Sequence, residues 1–172
     1  MKLRKFIIPI ALMFGLIGIF SYKMYLSCSE NSTHLELPSR KISILQINDL
    51  LDSKQQINLV PSNNNTNTIH VFTTWCSCCK DEVLEIQKVT KDHKIIGLVW
   101  SNHAEEAKSW LRSNGNYYEK VGIIGDVEAV LLGISKSPVT LVVKDDGSIK
   151  CSLQGALTVD SFNANIAPCL KN

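Results

Sequence analysis

Two cysteines, Cys76 and Cys79, are separated by two residues at the point where an apolar, β-branched segment gives way to a charged, helix-forming one. This pattern predicts a buried strand that delivers the first thiol to the N-terminus of a helix. The unpaired N–H groups and partial positive charge of a helix N-terminus stabilise a thiolate, so Cys76 is the candidate nucleophile. Cys79 follows about one helical turn later, close enough to attack a mixed disulfide on Cys76. Cys79 is therefore the candidate resolving thiol.

The same Cys-x-x-Cys spacing occurs in structural zinc sites, which normally need a second pair of ligands. The sequence has no second Cys-x-x-Cys, and His70, His93 and His103 are scattered, as solvated or core histidines are. Three roles remain open for Cys78: an idle exposed side chain, an alternative resolving thiol, or a Cu(I) ligand together with the two flanking thiols. The residues favour redox chemistry over a metal site.

Length and charge limit the kinds of protein this chain can be. It has 172 residues, and about 140 remain after an apolar N-terminal segment, enough for one domain with a proper core. Four of the 18 Lys and Arg precede Glu30, the first acidic residue, so 14 remain against 16 Asp and Glu. This balance gives no basic surface for nucleic acid, and six cysteines are too few for a disulfide scaffold of this size.

The N-terminal segment has the features of a membrane anchor. Residues 6–20 are almost entirely apolar, and the stretch continues to residue 26 if Lys23 snorkels. At this length a helix spans roughly the 30 Å of a bilayer core. Basic residues precede the stretch, so the remainder of the chain is expected to face outward, into an oxidising compartment.

The alternatives to an uncleaved anchor are a cleaved signal peptide and lipidation at Cys28. A cleaved signal peptide lacks support because no A-x-A-like site follows, and the aromatic and basic residues within 22–25 suit a membrane interface. Lipidation at Cys28 also lacks support, because the sequence does not have the aliphatic residue that is expected three positions before a lipidated cysteine. The predicted organisation is a membrane anchor over 1–27, a polar connector over 28–40 and a folded domain over 41–172.

The periodicity of the remaining chain predicts an α/β fold. The Asp146-Gly147 pair predicts a hairpin turn, and the Asn-rich residues 61–67 predict a flexible loop. Ser101 or Asn102 is expected to cap one helix, and a last helix is expected to run from its cap Thr158 to Pro168, which would end it. The predicted strands are 41–47, 57–60, the run from residue 71 that leads into the cysteines, 94–100, 121–124, 140–143 and 148–153; the other predicted helices are 76–91, 104–113 and 127–132. Helices packed on a mixed sheet follow from this order.

Two motifs carry a resemblance to membrane-anchored thioredoxin-like proteins. Residues 75–82 fit the pattern Trp-Cys-x-x-Cys-x-x-Glu, and Ser137-Pro138-Val139-Thr140 is similar to a cis-proline loop. The chain from 69 to 157 resembles most the thioredoxin-like cytochrome c maturation thiol:disulfide interchange family, of the CcmG or DsbE type. Lys136 and Val139 stand where that family usually has Gly and Glu. The resemblance implies a thioredoxin-like fold, with a mixed central sheet flanked by helices, after an N-terminal transmembrane helix.

The resemblance also implies a function. The protein would be a protein-disulfide reductase anchored in the bacterial inner membrane and facing the periplasm. Its substrate would be apocytochrome c or another thiol protein of cytochrome c maturation, and its electrons would come from a membrane thiol transporter of the DsbD or CcdA type. No metal or cofactor is needed for this chemistry. The alternatives are a copper-delivering or metal-binding thioredoxin-like protein and a general disulfide oxidant, although the segment between Trp100 and Pro138 lacks the large helical insertion of DsbA-type oxidants.

Two further residues near the thiols are candidates for the site. Glu82 lies one turn beyond Cys79 on the same helical face, where it could take the proton from the resolving thiol. The alternative is a surface carboxylate beside Lys80. Trp75 could form a substrate platform next to the thiolate or an indole at the edge of the core.

A cis peptide bond is predicted between Ser137 and Pro138. Such a bond facing Cys76 would expose backbone groups with which an extended substrate can pair, so both residues are assigned to substrate binding. The two remaining cysteines leave a choice open: Cys151 points inward as a small hydrophobe, and Cys169 is either its disulfide partner or free.

Overall fold

The computed structural model describes residues 12–23, 33–34, 41–44, 46–62 and 64–171. The chain divides into two compact units, residues 1–31 and residues 32–172. In the first unit, residues 12–23 form helix α1 and expose their side chains.

The predicted anchor and connector fall largely outside these described ranges. Only residues 12–23 of the anchor and 33–34 of the connector are described, and Cys28 is not. Among the residues that are described, no helix is both long enough and apolar enough to cross a membrane.

The second unit is built on a mixed sheet, as predicted. Its strands are β1 (Thr33–His34), β2 (Gln46–Asn48), β3 (Gln56–Asn58), β4 (Thr66–Phe72), β5 (Ile95–Trp100), β6 (Lys120–Ile124), β7 (Val139–Lys144) and β8 (Ile149–Gln154). In the described part of the chain, six of them form one sheet in the order β1-β8-β7-β4-β5-β6, while β2 and β3 form a separate hairpin. β4 lies parallel to β5 and antiparallel to β7. This arrangement places β4, the strand that leads to the thiols, in the middle of the sheet.

Helices follow the strands in the predicted alternation. They are α2 (Ser77–Asp81), α3 (Val83–Val89), α4 (Ala104–Asn114), α5 (Asp126–Leu131), α6 (Val159–Ser161), a π-helix (Phe162–Ile166) and α7 (Ala167–Leu170). Strands β4, β5 and β7 are buried along most of their length, as strands covered on both faces are. Cys79 belongs to the same buried cluster as Phe72 and Val99, so the second thiol is part of the core.

The predicted helix over residues 76–91 is wrong in its continuity. Glu82 has φ −78° and ψ −9° and separates α2 from α3, and its backbone N–H donates to the carbonyls of Cys78 and Lys80. The apolar face expected from the sequence is present, since Val83 and Ile86 are buried. Periodicity detected this face but not the short break within it.

Several predicted element boundaries also differ. The predicted strand 41–47 is reduced to an isolated bridge at Lys41 and to β2, and the predicted strand 57–60 is displaced to β3. The predicted loop 61–67 ends early, because Thr66 and Asn67 already pair with β7. Ladder pairing with a neighbouring strand overrides the turn preference of Asn at this position.

The predictions for the helix ends are partly confirmed and partly wrong. Thr158 caps α6 by accepting from the Ser161 N–H, as predicted. Pro168 does not end the last helix but lies in the first turn of α7, directly after the π-helix. The N-cap of α4 is His103, and the predicted cap Ser101 instead accepts from the His103 N–H. The hairpin turn at Gly147 is confirmed, with φ +79°.

Candidate functional site

Cys76 occupies the N-cap position of α2, at the end of the segment that leaves β4. Its side chain is half-buried, and its Sγ accepts a hydrogen bond of 3.3 Å from the Cys79 N–H. Both cysteines are free thiols in this structure. The preceding residue, Trp75, is 80% exposed, so its indole lies at the surface rather than at the edge of the core. A partner disulfide can therefore reach Cys76 alongside a large aromatic surface.

Cys79 has the opposite environment, because it is only 1% exposed. Burial raises the pKa of its thiol, and the negative charge of Glu82 and the hydrogen bond with Cys76 raise this pKa further. The Ser137 Oγ lies 3.6 Å from the Cys79 Sγ and acts in the other direction. The thiol of Cys79 is accordingly protonated near neutral pH and must lose its proton before it can attack a disulfide.

The predicted cis bond between Ser137 and Pro138 is confirmed. It lies just before β7, and Ser137 reaches Cys79 from a position 58 residues away in sequence. The Pro138 carbonyl is not free for a substrate, because it accepts hydrogen bonds of 2.9 Å from both the Gly155 N–H and the Gln154 Nε2. Pairing of an extended substrate at this loop would therefore use backbone groups on the N-terminal side of Pro138.

Glu82 is fully buried, in contrast to a surface carboxylate beside Lys80. Its Oε1 lies 3.1 Å from the His70 Nε2, and its Oε2 accepts a hydrogen bond of 2.6 Å from the Leu157 N–H. The break between α2 and α3 falls at Glu82, the residue whose side chain reaches these inner partners. The carboxylate thus lies inside the core, where its charge acts on Cys79.

Two residues of this buried site were not assigned a role from the sequence. His70 lies in the middle of β4 with its ring fully buried, and its Nδ1 lies 3.0 Å from the Thr140 Oγ1 on β7. Tyr118 stacks on Phe72 with ring centroids 5.3 Å apart and on His70 at 6.0 Å. Burial raises the pKa of the Tyr118 hydroxyl well above its ordinary value, and the charges of Glu82 and Cys79 add to this effect.

A glycine on β5 makes room for the tyrosine. A Cβ added to Gly97 would lie 2.7 Å from two carbons of the Tyr118 ring. Gly97 is therefore needed for the close approach of this ring to the sheet. The usable sequence signals were a histidine within an otherwise apolar strand and a glycine within another, both of which indicate unusual contacts.

Cys78, Cys151 and Cys169 are disulfide-bonded. Cys78 is half-buried and in a disulfide, which differs from the idle exposed side chain considered from the sequence. Cys151 and Cys169 form a disulfide that joins β8 to α7. Among the described residues, no group of three or more His, Cys, Asp or Glu side chains is arranged to hold a metal ion.

A cavity of about 270 Å³ lies next to Trp75. Two carboxylates at its wall are held by local hydrogen bonds: Glu106 accepts from the Thr74 hydroxyl at 2.7 Å, and Asp126 accepts from the Trp100 indole at 2.8 Å. Thr73, Thr74 and Trp75 line this cavity and lead directly into Cys76, so it lies beside the segment that carries the first thiol.

Comparisons with known proteins agree with the resemblance stated from the motifs. No family model matches the chain. The chain is 29% identical over 107 residues to the thiol:disulfide interchange protein DsbE of Xylella fastidiosa, a match that covers 59% of this chain and 53% of that protein. It thus spans about half the length of that relative. It is 23% identical over 172 residues to DsbE of Haemophilus influenzae, covering 96% of this chain and 94% of that protein.

Solved structures show the fold. The thioredoxin domain of a thiol-disulfide oxidoreductase from Bacteroides vulgatus is 19% identical, with a TM-score of 0.56 over 75% of this chain and 96% of that one. The predicted thioredoxin-like fold is therefore confirmed for the second unit. The resemblance to DsbE-type thiol:disulfide interchange proteins is confirmed as well.

Proposed function

We propose that this protein is a thiol:disulfide oxidoreductase that reduces disulfides in partner proteins. The observation that carries the proposal is the contrast between the two thiols. Cys76 is half-buried at a helix N-cap, whereas Cys79 is buried directly behind it with its N–H on the Cys76 sulfur. The first position suits a nucleophile that meets a partner, and the second suits a thiol that reacts only within the protein.

The reaction would proceed in two exchanges. The Cys76 thiolate attacks one sulfur of a partner disulfide, forming a mixed disulfide, and the other partner sulfur leaves with the electron pair. Cys79 then loses its proton and attacks the Cys76 sulfur, which forms the Cys76–Cys79 disulfide and releases the second partner thiolate. The partner gains two electrons, and the dithiol of this protein loses two.

The substrate class and location are proposed from the resemblance to the CcmG and DsbE family. The substrate would be apocytochrome c or another thiol protein of cytochrome c maturation, and a membrane thiol transporter of the DsbD or CcdA type would reduce the pair again. The apolar N-terminal segment preceded by basic residues supports an anchor in the bacterial inner membrane with the folded domain in the periplasm. A reporter at the C-terminus should then be exported and sediment with membranes, whereas a soluble, shortened protein would indicate a cleaved signal peptide.

Cysteine variants test the reaction. We expect Cys76→Ala to abolish exchange with a disulfide substrate, and Cys79→Ala to accumulate a mixed disulfide visible on a non-reducing gel. A double variant at Cys151 and Cys169, which lie outside the thiol pair, is the matched control and should keep its activity. Normal turnover by Cys79→Ala would show that Cys79 is not the resolving thiol. The reduction potential of the Cys76–Cys79 pair decides whether the protein reduces or oxidises its partners. A reductant needs a strongly negative value, whereas the potential of the oxidant DsbA is about −120 mV.

A further inference from the structure

A buried carboxylate, three residues after Cys79, and a buried imidazole on β4 form a connected set. Both oxygens of Glu82 have partners, namely the His70 Nε2 at 3.1 Å and the Leu157 N–H at 2.6 Å. The other ring nitrogen of His70 lies 3.0 Å from the Thr140 hydroxyl. The side chains of His70 and Glu82 are 0% exposed, so neither can exchange a proton directly with solvent.

The chemistry of these partners allows the set to hold either of two proton counts. When Glu82 is ionised and His70 is neutral, the imidazole donates from Nε2 to the carboxylate, and the Thr140 hydroxyl donates to Nδ1. When one more proton is present, it lies on Nδ1 of the ring or on the carboxyl. In the second case the carboxyl donates to Nε2 and the neutral ring carries its own proton on Nδ1. In both cases the Nδ1–H donates to the Thr140 hydroxyl. The hydroxyl rotates from donor to acceptor, so no hydrogen bond is lost when a proton enters or leaves.

Two other titratable groups beside Glu82 do not serve as acceptors for this proton. They are Tyr118, which packs on His70 from the loop before β6, and Cys79 itself on α2. The pKa of the Tyr118 hydroxyl is raised, so it stays protonated near neutral pH and cannot receive a second proton there. The resolving thiol must nevertheless lose a proton although Cys79 is only 1% exposed.

We propose that His70 is a positioning residue for the resolving step, in which Cys79 attacks the mixed disulfide. His70 holds Glu82 beside Cys79. Together with the Thr140 hydroxyl, it lets the Glu82–His70 pair take up the proton that Cys79 loses. This inference rests on the proposed thiol-disulfide exchange. In the step, the S–H bond of Cys79 breaks and the pair gains the proton. The Cys79 sulfur then forms a bond to Cys76, and the partner sulfur leaves as a thiolate with the electron pair of the broken S–S bond.

Rapid kinetics with an aromatic disulfide reagent separate the two exchanges. The first equivalent of coloured thiol reports the attack by Cys76, and the second reports the attack by Cys79 on the mixed disulfide. Intact-mass spectrometry of quenched samples follows the adduct on Cys76. We expect His70→Gln, whose amide can still donate to Glu82 but cannot exchange the proton, to leave the first phase unchanged. Near neutral pH it should slow the second phase by about tenfold or more.

The pH profile separates a proton acceptor from a structural residue. In the His70→Gln protein the second phase should recover toward the unsubstituted rate as the pH rises, because Cys79 then ionises without an internal acceptor. Thr140→Val, which removes the hydroxyl with little change in shape, should give the same pattern to a smaller degree. Thr140→Ser, which keeps the hydroxyl, is the matched control and should behave like the unsubstituted protein. If His70→Gln does not fold, the two Thr140 variants decide the question.

Two results would overturn the inference. One is an unchanged second phase in folded His70→Gln or Thr140→Val protein. The other is slowing by the same factor at every pH, which indicates that the substitutions only disturb packing. Absence of the first phase in the unsubstituted protein would instead contradict the proposed function, and the inference would fall with it.

Discussion

The negative charge of Glu82 opposes the ionisation of Cys79, and the same carboxylate assists the reaction as part of the group that accepts the proton. The Glu82 carboxylate raises the pKa of the Cys79 thiol, after burial, which is the larger cause. In the proposed step the same carboxylate belongs to the group that receives the proton. Neutralising Glu82 should therefore separate two effects that are combined in the native protein: easier ionisation of the thiol and loss of its acceptor.

The Glu82→Gln variant tests this separation. Without the negative charge, the Cys79 thiolate should form at lower pH than in the unsubstituted protein, while the resolving phase near neutral pH becomes slower. In a Cys76→Ser background Cys79 is the free thiol among the residues that the structure describes, and the ultraviolet absorbance of the thiolate measures its ionisation. Glu85→Gln is the matched control, because Glu85 is bonded to Lys88 and the Val159 N–H instead. An unchanged or upward-shifted titration in Glu82→Gln would contradict the electrostatic argument.

At the level of single residues, the sequence was informative where spacing encodes chemistry. The place of Cys76 at a helix N-terminus follows from the strand-to-helix pattern, and the cis bond at Pro138 follows from the resemblance to a cis-proline loop. The role of His70 did not follow, because the partners of a histidine in an apolar strand depend on which elements pack over it. Its contacts come from residues 12 positions and 70 positions away in sequence.

At the level of elements, the order of strands and helices was predictable and their interruptions were not. The apolar period that predicts a helix is insensitive to a break of one residue, so it predicts one helix where the structure has α2 and α3. The end of the chain shows the same limit, since the last helix changes to a π-helix between α6 and α7. At the first break the Glu82 side chain bonds to His70 and to the Leu157 N–H, distant partners on which sequence periodicity contains no information.

The disulfide between Cys151 and Cys169 stabilises this irregular C-terminal segment. It joins β8 to α7 across 18 residues. Closure of a loop of this size restricts the unfolded chain by about 3 kcal/mol. The double variant Cys151→Ala/Cys169→Ala should therefore lose about 3 kcal/mol of the free energy of unfolding, measured by urea denaturation.

The same variant should keep its rate of exchange. The disulfide packs with Leu153 and Phe162, whereas Cys79 packs with Phe72 and Val99 in another cluster. A single Cys169→Ala variant that is as stable as the unsubstituted protein would show that the crosslink does not constrain the unfolded chain.

At the level of the whole molecule, the reactive thiols affect stability because one of them is built into the core. Cys79 is one of the buried residues of a cluster that also contains Leu111 and Val121. A thiol in this position is favoured in its neutral form, so the folded protein holds the proton more strongly than the unfolded chain does. The stability of the reduced protein is therefore coupled to pH through this group.

The sign of this coupling gives a prediction for the reduced protein. The pKa of Cys79 is raised in the folded state above its ordinary value of 9.0, so its contribution to stability is fully present below pH 9 and is lost as the pH rises further. Above pH 9 the free energy of unfolding should fall by up to about 1.4 kcal/mol per pH unit because of this group. Urea denaturation at several pH values measures it, and reduced Cys79→Ala protein is the control because Tyr118 and the lysines titrate in both. The reduced native protein should lose stability more steeply above pH 9 than Cys79→Ala does, and parallel curves would show that burial of Cys79 does not favour its neutral form.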